Sequence, residues 1–242
     1  MRYFIDCEFL EGPQKTWWGG RTKPTIDLIS IGIVAEDGRE YYAISSDFNL
    51  DEAWNRYDIV REEFGIGFWD ATEVIEEKEY WIRNNVLRSI WIDLIGKDDI
   101  SPYSKDWARE GSYKKQFTKR NLKRLLKKNG KGNEEISTDI INFLSVESTE
   151  GDPLQNSRII DHDIAFYGYM CDFDYVAMTW LFGGMSKWPE GFPYYFNDLA
   201  QMKDEKVVDK YHPDFPKESD EHNALSDARW NKKLYDFITN LK

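Results

Sequence analysis

Three strands in the first 45 residues constrain the fold of this chain more than any other feature. Residues 2–9 (RYFIDCEF) alternate apolar and polar side chains and break at Gly12-Pro13, as a strand running into a loop does. Residues 28–34 (LISIGIV) form a second strand. Asp37-Gly38, set between two apolar runs, is a strong hairpin signal. It turns the chain so that residues 41–44 pair back as a third strand. Two adjacent antiparallel strands beside a first one begin a mixed sheet.

The character then changes. Residues 51–63 and 71–95 read as helices, the second with apolar positions three and four apart and with Trp81, Val86 and Leu87 on a packed face. A polar loop is expected over 101–113. A basic helix follows over 117–128, with Leu122, Leu125 and Leu126 as its apolar stripe and Asn129-Gly130 as its stop. Residues 137–144 form another helix, opened by a capping serine. Strand character returns at 164–170, a helix at 174–181 ends at Gly183-Gly184, and 193–199 make a short strand and turn. A Pro- and charge-rich loop over 204–221 leads to an amphipathic helix at 224–241. This order predicts an α/β fold, a mixed β-sheet flanked by helices. One domain over 1–242 is expected, with a helical, basic insertion at about 51–135.

A chain of 242 residues buries enough surface to fold without staples. Its two cysteines, Cys7 and Cys171, make neither a disulfide framework nor a zinc cluster. The N-terminal apolar run is too short for a signal peptide, and nothing approaches the roughly 18 apolar residues of a membrane span. No membrane association is expected, and a reducing cytoplasm is the expected compartment. The net charge of −12 argues against a polyanionic partner, but it is unevenly spread. Residues 104–132 carry eleven Lys or Arg against Asp106 and Glu110, a local +9 that leaves −21 on the remainder. Such asymmetry bears more on partner choice than the total does.

Asp6-Cys7-Glu8 lies at the end of the first strand. Because strand side chains alternate, Asp6 and Glu8 share a face and Cys7 takes the other. Two neighbouring carboxylates repel, and a hard divalent cation such as Mg²⁺ or Mn²⁺ relieves them. Solvation would relieve them equally well. The second motif is His222-Asn-Ala-Leu-Ser-Asp227, which places Asp227 one turn inside the last helix and His222 just before it. An imidazole beside metal-binding carboxylates is a suitable general base at neutral pH. Helix capping is the plainer explanation of both residues. The third motif is Phe173-Asp174-Tyr175-Val176, an acid opening a helix, with Asp172 as its rival.

The order and spacing of D-x-E, F-D and H-x-x-x-x-D resemble the DEDDh 3′–5′ exonucleases, which have a ribonuclease H-like fold. The likeness is most detailed to a small bacterial and phage 3′–5′ exoribonuclease family. It rests on Asp6-Cys7-Glu8-Phe9, on residues 28–32 and 36–42, on Phe173-Asp174-Tyr175-Val176 followed by Leu181-Phe182-Gly183, and on residues 81–87. The chain departs from the family at Cys7, where Thr is usual, and in longer regions around 51–79 and 101–133. The resemblance implies a two-metal mechanism. Asp6 would bridge two Mg²⁺ or Mn²⁺ ions, Glu8 and Asp227 would complete the first site, Asp174 would serve the second, and His222 would take a proton from the attacking water. It also implies RNA, single-stranded or with a 3′ overhang, as substrate, and base stacking near Phe9. DNA and a non-catalytic adaptor role stay open, as does a homodimer. The basic helix, through Lys119, Arg120, Lys123 and Arg124, is a candidate grip for the phosphate backbone, or a solvated face on an acidic protein.

Overall fold

A computed structural model describes residues 1–16, 18–66, 71–97, 116–147, 158–160, 164–208, 211–217 and 222–241. The strands are β1 (Arg2–Gly12), β2 (Thr25–Ala35), β3 (Glu40–Ile44), β4 (Asp58–Ile66), β5 (Ala71–Glu79), β6 (Ser145–Glu147), β7 (Arg158–Ile160), β8 (Ala165–Gly168) and β9 (Asn197–Asp198). The helices are α1 (Leu50–Asn55), α2 (Arg88–Lys97), α3 (Lys119–Asn129), α4 (Asn133–Leu144), α5 (Asp172–Leu181), α6 (Leu199–Glu205) and α7 (Ala224–Asn240). The chain divides into two compact units, one of Met1–Phe48 with Arg124–Lys242 and one of Asn49–Lys123.

The first unit is built on a five-stranded sheet in the order β3-β2-β1-β8-β9. β1 pairs antiparallel with β2 and parallel with β8, so the sheet is mixed. Helices flank it, and the whole is an α/β arrangement consistent with a ribonuclease H-like fold. Gly38, at φ 91°, makes the turn between β2 and β3, a conformation a β-carbon would disfavour.

Alternation along β1 and β2 assigns a helix to each face. Tyr3, Ile5, Cys7, Ile31, Ile33 and Ala35 pack with Ile136, Ile140 and Leu144 of α4 and with Ala177 and Met178 of α5. On the opposite face Phe4 and Val34 pack on Ala228 of α7. A further cluster, Leu199, Trp230, Leu234 and Ile238, joins α6 to α7. Each large aliphatic side chain so buried contributes roughly 1.5–3 kcal/mol, which holds the elements carrying Asp6, Asp174 and Asp227 in fixed register.

The second unit corrects the sequence reading. The helix expected over 51–63 is confined to α1, which Asn49 caps by accepting the Glu52 N–H at 3.1 Å. The remainder is β4, paired antiparallel with β5 where the next helix was expected to begin. Glu and Lys favour helices locally, but β-branched Ile59, Val60 and Ile75 and the cross-strand Arg61–Glu76 ion pair at 2.8 Å suit a ladder that only distant residues supply. Helix begins only at Trp81, passes through a π-turn at Arg83–Leu87 and continues as α2. Val86 and Leu87 are buried as expected, whereas Trp81 is 39% exposed. Phe117 packs on Trp54 and Trp91, with ring centroids at 4.9 and 5.6 Å. The basic helix forms as α3, with Leu122, Leu125 and Leu126 buried. The loop expected over 101–113 lies outside the described residues.

Candidate active site

Asp6 sits on β1 directly opposite Gly32 of β2. A β-carbon at Gly32 would lie 2.2 Å from the Ala224 carbonyl oxygen and 2.5 Å from the Leu225 Cα. Only glycine lets the first turn of α7 lie this close to the strand, and that turn carries Asp227. Asn223 caps it by accepting the Ser226 N–H at 3.0 Å. Two further ties fix the helix. The Arg229 guanidinium donates to both oxygens of Glu40 on β3 at 2.7 and 2.6 Å, and the buried Asn231 amide donates to the Ile5 carbonyl at 3.0 Å.

The result is convergence of both chain ends. Ligand oxygens of Asp6, Glu8 and Asp227 all lie within 4.8 Å of one another. Glu8 is the last residue of β1 before a register shift at Glu8/Phe9, so alternation still holds Asp6 and Glu8 on one face.

Asp174 arrives from the other side. β8 accompanies β1 only as far as the Phe4–Tyr167 pair. Gly168 then admits a tight turn, since a β-carbon there would lie 2.6 Å from the Cys171 Cβ and 3.1 Å from the Ile5 carbonyl oxygen. Asp198 steadies this turn by accepting the Cys171 N–H at 3.1 Å. Beyond β8, the Cys7 N–H donates to Asp174 Oδ1 at 2.7 Å. Asp172 and Asp174 both stand in the first turn of α5, but Asp172 is exposed and Asp174 buried. Of the two, Asp174 is the one whose carboxylate meets β1, at the residue between Asp6 and Glu8.

Burial and mutual repulsion shift these groups together. Burial first, then the charges of Asp174, Glu8 and Asp227, holds the Asp6 carboxyl well above the usual carboxylate range. Burial, with Asp227 and Asp174, pushes Glu8 up to about 8. Asp174 rises to about 7 through burial, although the Cys7 N–H and its own N–H pull the other way. Burial and the same acids raise the Cys7 thiol, so it stays protonated.

Oxygen donors of this kind suit a hard divalent cation. Ligands on opposite sides of Mg²⁺ stand about 4.2 Å apart, so the 4.8 Å envelope lies near coordination distance. The residues present fit such an ion.

The remaining predicted residues are placed less tightly. His222 is half-buried two residues before α7, with left-handed backbone at φ 65°, and is not one of the three clustered ligands. Phe9, beside Glu8, stacks on Phe173, beside Asp174, with centroids 6.0 Å apart and planes at 27°. Phe173 is 54% exposed. Lys119 is ion-paired with Asp51 at 2.6 Å, while Arg120, Lys123 and Arg124 are exposed on α3. Sequence reasoning missed Gly32, Gly168 and Asn231. A glycine inside an apolar strand was the only signal for the first.

No family model matches the chain. It is 26% identical over 239 residues to proteins from two strains of Mycobacterium tuberculosis, each named 3′-5′ exoribonuclease. The alignment covers 99% of this chain and 94% of each relative. The likeness supports a 3′-5′ exoribonuclease family. It runs the full length of the chain, so it takes in β1, α5 and α7 together. Among the described residues no helix is long and apolar enough to cross a membrane.

Proposed function

We propose that this chain is a divalent-metal-dependent 3′–5′ exoribonuclease that hydrolyses single-stranded RNA or 3′ overhangs. The observation that carries the reading is the convergence of Asp6, Glu8 and Asp227 within 4.8 Å, beside a buried Asp174. A binding module for an anionic polymer gains nothing from clustered carboxylates, whereas a metal-assisted hydrolase requires them. Relatives named exoribonuclease over the same length point the same way.

Asp6, Glu8 and Asp227 would hold one ion, and Asp6 with Asp174 a second. Bound Mg²⁺ or Mn²⁺ supplies Lewis-acid polarisation of the scissile phosphate and a more acidic water. The chain's own groups do the rest. The Cys7 N–H fixes the Asp174 carboxylate, so its free oxygen keeps one orientation. His222, ahead of α7, accepts the proton of the attacking water on an imidazole nitrogen. The half-buried Phe9, already stacked on Phe173, offers a ring beside Glu8 for the terminal base. Arg120, Lys123 and Arg124, exposed along α3, offer positive charge to a phosphate backbone.

The test is digestion of matched single-stranded RNA, single-stranded DNA and 3′-overhang duplexes across a divalent metal series. Shortening of RNA from its 3′ end with Mg²⁺ or Mn²⁺, and none with chelator, is expected. Preference for DNA would replace the ribonuclease reading with a deoxyribonuclease one. Binding without cleavage in every metal would leave the adaptor role instead.

A further inference from the structure

Ser30 is the one hydroxyl in an otherwise aliphatic stretch of β2, Leu28–Ile29–Ser30–Ile31–Gly32–Ile33. It is 0% exposed, and its Oγ has no hydrogen-bond partner among the described residues. Buried polar atoms are nearly always paired, so an orphan calls for a cause.

The sheet register shows what faces it. Across β1 the partner of Ser30 is Glu8, and across β3 it is Ile44. Along its own strand Gly32 shares the face, whereas the shift at Glu8/Phe9 turns Leu28 to the other face with Ile31 and Ile33. Of these three neighbours only Glu8 has a side chain that can accept a hydrogen bond. Directly opposed antiparallel residues hold their Cβ atoms about 5 Å apart, a span that a serine hydroxyl and a glutamate carboxylate bridge between them. Glu8 in turn shares the Asp6–Asp227 cluster and is the last β1 residue before the register shift.

We propose that Ser30 is a positioning residue for the metal site. Its hydroxyl donates to one Glu8 oxygen when a divalent ion is bound, leaving the other oxygen turned toward the ion with Asp6 and Asp227. The inference rests on the metal-dependent reading above and deepens it. Groups that hydrogen-bond a metal-ligating carboxylate commonly alter metal affinity 10- to 100-fold.

The test is calorimetric titration of Mn²⁺ into the full chain and into its Ser30→Ala, Ser30→Cys and Asp6→Asn variants, with metal-free melting temperatures for each. Ser30→Ala is expected to bind Mn²⁺ about 10-fold more weakly while melting, metal-free, at or above the wild-type temperature, because it removes a buried unpaired group. Ser30→Cys, similar in size but a weak donor, should weaken binding nearly as much without opening a cavity. If Ser30→Ala and Ser30→Cys bind as the wild type does and Asp6→Asn does not, the Ser30 assignment is wrong and the metal site stands. If Asp6→Asn also binds as the wild type does, the metal site falls and Ser30 with it.

Discussion

Neutralising Glu8 should stabilise the metal-free protein even as it destroys the site. The folded environment raises the Glu8 carboxyl from 4.5 to about 8, through burial first and the charges of Asp227 and Asp174 after it. A raised acid holds its proton more tightly in the folded state. Its stabilising contribution is therefore complete below the unfolded value near 4.5 and is lost as pH climbs through about 8. At roughly 1.4 kcal/mol for each pH unit of that interval, the full loss would approach 5 kcal/mol. Glu8 keeps part of its surface in solvent and shares its repulsion with Asp227 and Asp174, so a contribution on the order of 2–3 kcal/mol is expected. In a chain of this size each kcal/mol moves the melting temperature by about 2–4 °C.

Glu8→Gln should therefore melt within a degree or so of the wild type at pH 5 and roughly 5–10 °C above it at pH 8.5, both measured with chelator. Saturating Mg²⁺ should close the gap from the wild-type side only, because the ion relieves a repulsion the variant lacks. Differential scanning calorimetry across that pH range, with and without metal, measures all four quantities. A gap independent of pH, or a variant less stable than the wild type at pH 8.5, would refute the electrostatic reasoning.

The site's other parts have their own signatures. Gly32→Ala drives a β-carbon to 2.2 Å from the Ala224 carbonyl; α7 must shift, at a cost of about 1–3 kcal/mol or more, and urea denaturation with Mn²⁺ titration should show lower stability and weaker metal binding together. His222→Ala should lower turnover by roughly 10²–10⁴-fold and leave Mn²⁺ affinity near the wild type, so a loss of affinity would make His222 a ligand rather than a base. Replacing Arg120, Lys123 and Arg124 with Gln should raise KM for RNA and flatten its salt dependence, whereas unchanged steady-state kinetics would make α3 a solvated face only.

The sheet was legible because its signals are local. Period-two alternation in β1 and the Asp37-Gly38 turn specify the strands, and alternation alone puts Asp6 and Glu8 on one face. The β4–β5 hairpin was not legible. Its Glu-rich segments favour a helix over any short window, and only pairing between residues some fifteen apart, such as Arg61 with Glu76, reverses that preference. Sequence preferred Asp174 to Asp172 because it starts the apolar run of the helix, but both fit the first turn of α5. The Cys7 N–H, released where β8 leaves β1, distinguishes them. Gly32 and Ser30 read as ordinary members of an apolar strand, and their meaning lies in what α7 and β1 set against them.

The most direct test of the metal-dependent exonuclease assignment is a time course on 5′-labelled single-stranded RNA with Mg²⁺, comparing the wild type with Asp227→Asn. Asp227 is the carboxylate that α7 contributes to the cluster on β1, and the amide of asparagine keeps its shape while removing the charge. A ladder of products shortened stepwise from the 3′ end in the wild type, and intact RNA with Asp227→Asn, is the expected result. Undiminished cleavage by Asp227→Asn would contradict it.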